Sequence, residues 1–261
     1  MAPKQSRYDI KFYKLLILML ITGLIWLENK GALAKLEGIS FITPQKHFLS
    51  TSPVHPFVPP TPSQTPKYMS IGDLHLHTTC SDGKNEYDML LKQAIKMRYD
   101  FIAITDHHFD DTPICRENIR KCKAETRLLC IPGMEVTGRV HVLAIGITHS
   151  INEKLPVKQQ VEEIHNQGGL AIAAHPFAQG TRFSEEELIQ SGFDAMECGG
   201  INPKEWQTFV ALQKKAHLPC VYNSDAHNVF QMLAFNRCEG KINSLEDLKQ
   251  AIQENRCNTW E

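Results

Sequence analysis

Two histidines one residue apart, His75 and His77, close an apolar run that begins at Met69, and the acid Asp82 follows in the turn Ser81-Asp82-Gly83. Further ionisable groups stand at the ends of later apolar runs: Asp106-His107, Glu135, His141, His175 and Asp225-Ala226-His227. Imidazoles mixed with carboxylates suit zinc, manganese or iron better than calcium or magnesium. A phosphate ester resists attack because its anionic oxygens repel a nucleophile. Clustered divalent cations neutralise those oxygens, acidify a bound water and stabilise the leaving group.

The elements that must gather these residues are legible in outline. Met69 to His77 reads as a strand, with His75 and His77 on one face because side chains alternate with period two. Glu86 to Arg98 reads as a helix, Phe101 to Thr105 as a buried strand and Cys115 to Thr126 as a second helix. Leu128 to Pro132, with Glu135 just beyond, and Val140 to Ile147 are strand-like. Pro156 to Gln167 is helical and stopped at Gly168-Gly169. Leu170 to Ala174 is a strand, and Ser184 to Gln190 a helix opened by a capping-box pattern. Phe193 to Glu197 and Leu218 to Tyr222 are strands flanking a helix at Pro203 to Ala216 with proline at its start. Ser244 to Asn255 closes the chain as an amphipathic helix capped by serine. This alternation argues for an α/β barrel or a doubly wound sheet. In barrels the carboxyl ends of the strands converge on one face, so distant positions become neighbours.

His75-x-His77 with Ser81-Asp82-Gly83, Thr105-Asp106-His107, Gly133-Met134-Glu135, His141, His175-Pro176 and Ser224-Asp225-Ala226-His227 together resemble the ordered motifs of the PHP (polymerase and histidinol phosphatase) family. The resemblance spans Asp73 to His227 and implies a distorted seven-stranded β/α (TIM-like) barrel holding two or three divalent metals. It implies one metal on His75, His77, Glu135 and Asp225, a second sharing Glu135 and adding His141 and His175, and a third on Asp82, His107 and His227. It further implies a hydroxide between the first two metals as nucleophile, with Glu135 and Asp225 central to the chemistry. The activity so implied is metal-dependent hydrolysis of a phosphate ester, on a small molecule or nucleotide. Hydrolysis of an amide or lactone, and metal binding without turnover, are the alternatives.

The remaining polar residues are less specific. Asp106 is read as orienting an imidazole or capping the turn after it. His108 is a candidate general acid for the leaving oxygen, against a default of loop exposure. Lys84, Arg139 and Arg182 lie near the motif loops and are candidate substrate contacts. His149, His165 and His217 fall outside the motifs and are read as structural or solvated, and Glu197 and Asn223 close strands without an assigned role. Eight cysteines show no Cys-x-x-Cys pair, which speaks against a thiolate zinc site and leaves disulfides and free buried thiols both open.

The 261 residues carry a net charge of −1, so no bulk nucleic-acid surface is indicated. Lys4, Arg7, Lys11 and Lys14 precede an apolar run from Leu15 to Leu27, and Ala32-Leu33-Ala34 follows as a cleavage pattern. Residues 1–34 are therefore expected to be a signal peptide or signal anchor, giving an exported or membrane-anchored protein with the N-terminus as its tether. Residues 35–67 are a Pro/Ser/Thr-rich linker whose His47 and His55 are solvated, and 68–261 form the metallohydrolase domain.

Overall fold

A computed structural model describes residues 68–178 and 180–258. The chain divides into two units, Met1–Thr61 and Pro62–Glu261, and every described residue belongs to the second. The expected signal segment and the whole of the linker lie outside the described residues. Among the described residues no helix is long and apolar enough to cross a membrane.

Eight strands form one sheet: β1 (Met69–Asp73), β2 (Phe101–Ile104), β3 (Leu129–Thr137), β4 (His141–Ile145), β5 (Leu170–Ala173), β6 (Ala195–Glu197), β7 (Cys220–Val221) and β8 (Asn236–Glu239). Their spatial order is β7-β6-β5-β4-β3-β2-β1-β8. The β1/β2, β2/β3, β5/β6 and β6/β7 pairs are parallel, whereas β3/β4, β4/β5 and β1/β8 are antiparallel. The expected seven strands are thus eight. The additional strand, Asn-Arg-Cys-Glu, has no apolar alternation by which to announce itself.

The sheet curls until its far ends nearly meet. A parallel bridge joins Leu76 to Ala226, with His77 N donating to Ala226 O and Ala226 N to His75 O. Asparagines complete the seam where main-chain pairing stops. Buried Asn236 accepts from Tyr222 N at 2.9 Å and donates to Asn223 Oδ1 at 2.7 Å, and Leu74 N donates to that same oxygen. An amide side chain is both donor and acceptor, so it can bridge two strands that have separated too far for a ladder.

The strands' alternation divides the core into an inner and an outer layer. Phe101, Ala103, Leu143, Ile145, Leu170 and Ile172 fill the interior, which α6 (Leu245–Gln253) stoppers with Leu248, Ala251 and Ile252. Their neighbours face the helices. Ile102 and Ile104 pack on Leu90, Leu91 and Ala94 of α1 (Tyr87–Lys96), whose spacing makes one helical stripe. Val142, Ala144, Ala171 and Ala173 meet Val161 and Ile164 of α3 (Val157–Asn166).

Local signals set the helix ends. Thr112 caps α2 (Pro113–Lys123), Ser184 and Glu187 form the expected capping box of α4 (Glu185–Gln190), and Ser244 caps α6. α5 (Trp206–Ala216) begins later than expected, because Pro203 lies in the preceding turn and not at its first position.

All eight cysteines are paired, as Cys80–Cys115, Cys122–Cys130, Cys198–Cys220 and Cys238–Cys257. Two of these bridges grip α2 near its two ends, tying it to the loop after His77 and to β3.

Candidate metal centre

The chain's ionisable strand ends gather at one end of the barrel. Glu135 was expected just beyond its strand, yet lies inside β3, which continues through Pro132 and Gly133 into a hairpin with β4. His141 opens β4 at its amino end. Because β4 runs against its neighbours, that end lies beside the carboxyl ends of the parallel strands, opposite Thr137 in the register. The rule that chemistry sits at carboxyl ends therefore holds for the face of the barrel, not for each strand.

Three groups of ligand atoms result, each with its members within 4.8 Å of one another: His75, His77, Glu135 and Asp225; Glu135, His141 and His175; and His77, Asp82, His107 and His227. All nine expected ligands are present, with His77 additionally reaching the third group through Nδ1, 3.6 Å from Asp82 Oδ1. Glu135 is the hub. Its Oε2 lies 3.1 Å from His75 Nε2 and 3.2 Å from His77 Nε2. Its Oε1 lies 2.7 Å from His141 Nδ1 and 2.9 Å from His175 Nε2. Asp225 Oδ1 faces His75 Nε2 and His77 Nε2 at 3.3 and 3.2 Å. Asp82 Oδ2 meets His227 Nε2 at 3.1 Å and His107 Nε2 at 3.5 Å.

A proton count tests whether cations fit here. Glu197 Oε1 accepts from His75 Nδ1 at 2.9 Å, so Nδ1 carries the proton and Nε2 is a lone pair. That lone pair points at two carboxylate oxygens, a repulsive arrangement unless a cation or another proton lies between. Accordingly His75 Nε2, both ring nitrogens of His77 and Asp225 Oδ1 are buried without a hydrogen-bond partner. Three of these, His75 Nε2, His77 Nε2 and Asp225 Oδ1, converge on one place and match the need of a divalent cation for N and O donors, while His77 Nδ1 faces the third group.

Electrostatics lead to the same end. Burial disfavours the charged form of Glu135, but the imidazoles around it, His75 foremost, hold its carboxyl well below the ordinary range. Burial likewise opposes ionisation of Asp225, and His77 and His75 prevail to lower it. With only protons to share, His75, His77 and His175 are raised: burial opposes their charge, and the carboxylates around them outweigh it.

Two proposed ligands have left-handed backbone, His175 at φ 26° and Asp225 at φ 51°. Non-glycine residues adopt that region at a cost of about 1 to 3 kcal/mol and cluster where surrounding structure imposes it. At Asp225 the imposing group is Asp73, fully buried, which accepts from Ser224 N, Ser224 Oγ and His75 N. Gly83 serves the third group: a Cβ there would sit 2.4 Å from the carbonyl oxygen of His77, so only glycine lets the Asp82 turn fold back.

Two of these supporting roles were not assigned from the sequence. Glu197 bonds His75 Nδ1, Asn223 Nδ2 and His175 N, orienting two ligands at once. Asn223 links Glu197 to the barrel seam. Asp106 holds neither an imidazole nor the turn that follows it, the two expected roles, but the turn after His77, accepting from Thr78 N, Thr78 Oγ1 and Ser81 Oγ, each at 2.7 Å.

The remaining candidates lie outside the groups. His108 is exposed and paired with Asp111 at 3.1 Å. Lys84 is exposed beside the third group, its N–H donating to His227 O. Arg139 pairs with Glu187 in a groove lined by Pro156, Glu186 and Ser191. Arg182 pairs with Glu205, on a cavity that reaches His175. His165 bonds Asp194 at 2.8 Å and His217 caps α5 with left-handed backbone, both structural as expected.

Comparison with known proteins agrees with this geometry. A 5'-3' exoribonuclease of Escherichia coli is 38% identical over 137 residues, 48% of this chain and 45% of that enzyme. A phosphoribosyl 1,2-cyclic phosphate 1,2-diphosphodiesterase of Eggerthella lenta is 30% identical over 84 residues, 30% of this chain and 31% of that one. The chain thus spans less than half of either enzyme. A two-domain protein of Bacteroides vulgatus containing a predicted PHP-like metal-dependent phosphoesterase superposes with a TM-score of 0.57 at 22% identity, covering 73% of this chain and 64% of that one, and so shares the fold. The model of the PHP domain matches residues 73–253, which include every ligand candidate. The chain belongs to the PHP domain family.

Proposed function

We propose that the protein hydrolyses a phosphate ester of a small molecule or nucleotide, using two or three zinc, manganese or iron ions held by His75, His77, Asp82, His107, Glu135, His141, His175, Asp225 and His227. The observation that carries this reading is the Glu135 carboxylate, buried, with one oxygen in each of two ligand groups. A carboxylate so divided suits a pair of cations, which when bound would neutralise phosphoryl oxygens and acidify water. The chain's own residues do the positioning. Glu197 fixes the tautomer of His75, Asp73 holds the turn that presents Asp225, and Asp106 holds the turn that presents Asp82. We place the protein outside the reducing cytosol, because four disulfides persist in oxidising compartments and a basic segment followed by an apolar run precedes the domain.

The test is turnover of p-nitrophenyl phosphate and bis-p-nitrophenyl phosphate by the full chain, metal-free and reloaded with each metal. Reloading is expected to restore activity, and His77→Ala and Asp225→Asn to lower it by about 100-fold or more, beyond the range typical of outer partners. Full turnover by metal-free protein, or hydrolysis of amides alone, would overturn the proposal.

A further inference from the structure

A cavity of about 770 Å³ opens beside His175, contiguous with the ligand group that also contains Glu135 and His141. Its size is that of a small-molecule pocket. Gly180 and Gly200, both with positive φ, contribute no side chain to its lining. Inside, the Arg182 guanidinium lies over the Phe177 ring, 5.2 Å from its centroid, and is paired with Glu205. Phe177 is in turn braced edge-to-face by buried Phe209 at 5.6 Å. Half of the Arg182 side chain remains exposed, so the cation seated over Phe177 is still accessible from the cavity. Sequence position alone made Arg182 a candidate for gripping phosphate. Its charge is already answered by Glu205, and what it offers the cavity is a flat surface.

Resting on the phosphoesterase reading above, we infer that Phe177, Arg182 and Glu205 form a specificity subsite for a planar aromatic group carried by the phosphorylated substrate. The ring stacks on the guanidinium, whose other face rests on Phe177, and Glu205 keeps the guanidinium in place. A guanidinium stacks where an ammonium cannot, and stacking of one base on such a platform corresponds to about tenfold to hundredfold in binding.

The experiment uses the metal-loaded full chain and two probes that differ only in the ring, adenosine 5'-monophosphate and ribose 5-phosphate. Wild type is expected to favour the first by about tenfold or more in kcat/KM. In Phe177→Ala and in Arg182→Lys, which keeps the charge but not the plane, the ratio falls towards one. A wild-type ratio near one, or a ratio retained in both variants, overturns the subsite while leaving the phosphoesterase reading intact. If neither probe is hydrolysed, turnover of the two p-nitrophenyl esters decides the phosphoesterase reading, and calorimetric titration with adenosine decides the subsite separately. Binding by wild type that weakens about tenfold or more in Phe177→Ala supports it, and no binding overturns it.

Discussion

Replacing Glu197 with glutamine removes a charge from a site no metal is proposed to touch, which makes it a sharp test of how the centre is held. The carboxylate has three partners: His75 Nδ1 and Asn223 Nδ2 on Oε1, each at 2.9 Å, and His175 N on Oε2 at 2.6 Å. Glutamine fills the same space but offers a single acceptor oxygen. If that oxygen takes the Oε1 place, its amino group confronts the N–H of His175, whose left-handed backbone then loses its anchor. An unmet buried donor costs about 1 to 3 kcal/mol. If the amide turns over, its amino group faces His75 Nδ1, which must become an acceptor. The proton then moves to Nε2, the atom aimed at Glu135 and Asp225. Both outcomes damage a ligand, so metal affinity or activity should fall about 10- to 100-fold, the range for outer partners of metal-bound histidine. Metal titration of the apoprotein followed by turnover of the reloaded enzyme measures it. The loss should be of metal occupancy, recoverable in part at high metal concentration, with the fold retained by circular dichroism. Wild-type affinity and wild-type turnover in Glu197→Gln would refute the argument that Glu197 sets the tautomer of His75.

Two further predictions concern protons and disulfides. In the metal-free fold His75, His77 and His175 lie above their ordinary value of 6.5, so folded protein binds more protons than the unfolded chain between that value and the raised ones. Metal-free stability should therefore decline as pH rises through that window, and metal loading near pH 7 should release protons. Calorimetry in buffers of differing ionisation heat detects the release, and its absence would refute the assignment. The Cys80–Cys115 bridge spans a sequence separation of 35 and ties the Asp82 loop to α2. In the chain-entropy model its loss costs about 4 kcal/mol. The double variant Cys80→Ser/Cys115→Ser should unfold at lower denaturant and weaken metal binding most at the proposed Asp82, His107 and His227 group. An unchanged unfolding midpoint would contradict it.

What the sequence disclosed and what it concealed divide along a physical line. Period and end signals made the helices legible: the α1 stripe, the Ser184-Glu187 box and the Ser244 cap are all local, and all are present. Strand direction is not local. Nothing in Val140 to Ile147 says that this strand returns antiparallel from Thr137, and the strand expected to end at Pro132 runs on through Gly133 to Thr137. Nor are relations between polar residues local. The cysteine pairings, the Asn236–Asn223 seam and the contact of Glu197 with His75, 122 residues away, arise only once the barrel curls. The proposed ligands are the instructive exception. Each is weak alone, yet a cation's demand for several converging donors imposes an order on the whole set. The supporting shell has no such demand on residue type. Glutamate, asparagine or a backbone carbonyl would each orient an imidazole, so Glu197 could be recognised only from where its oxygens lie.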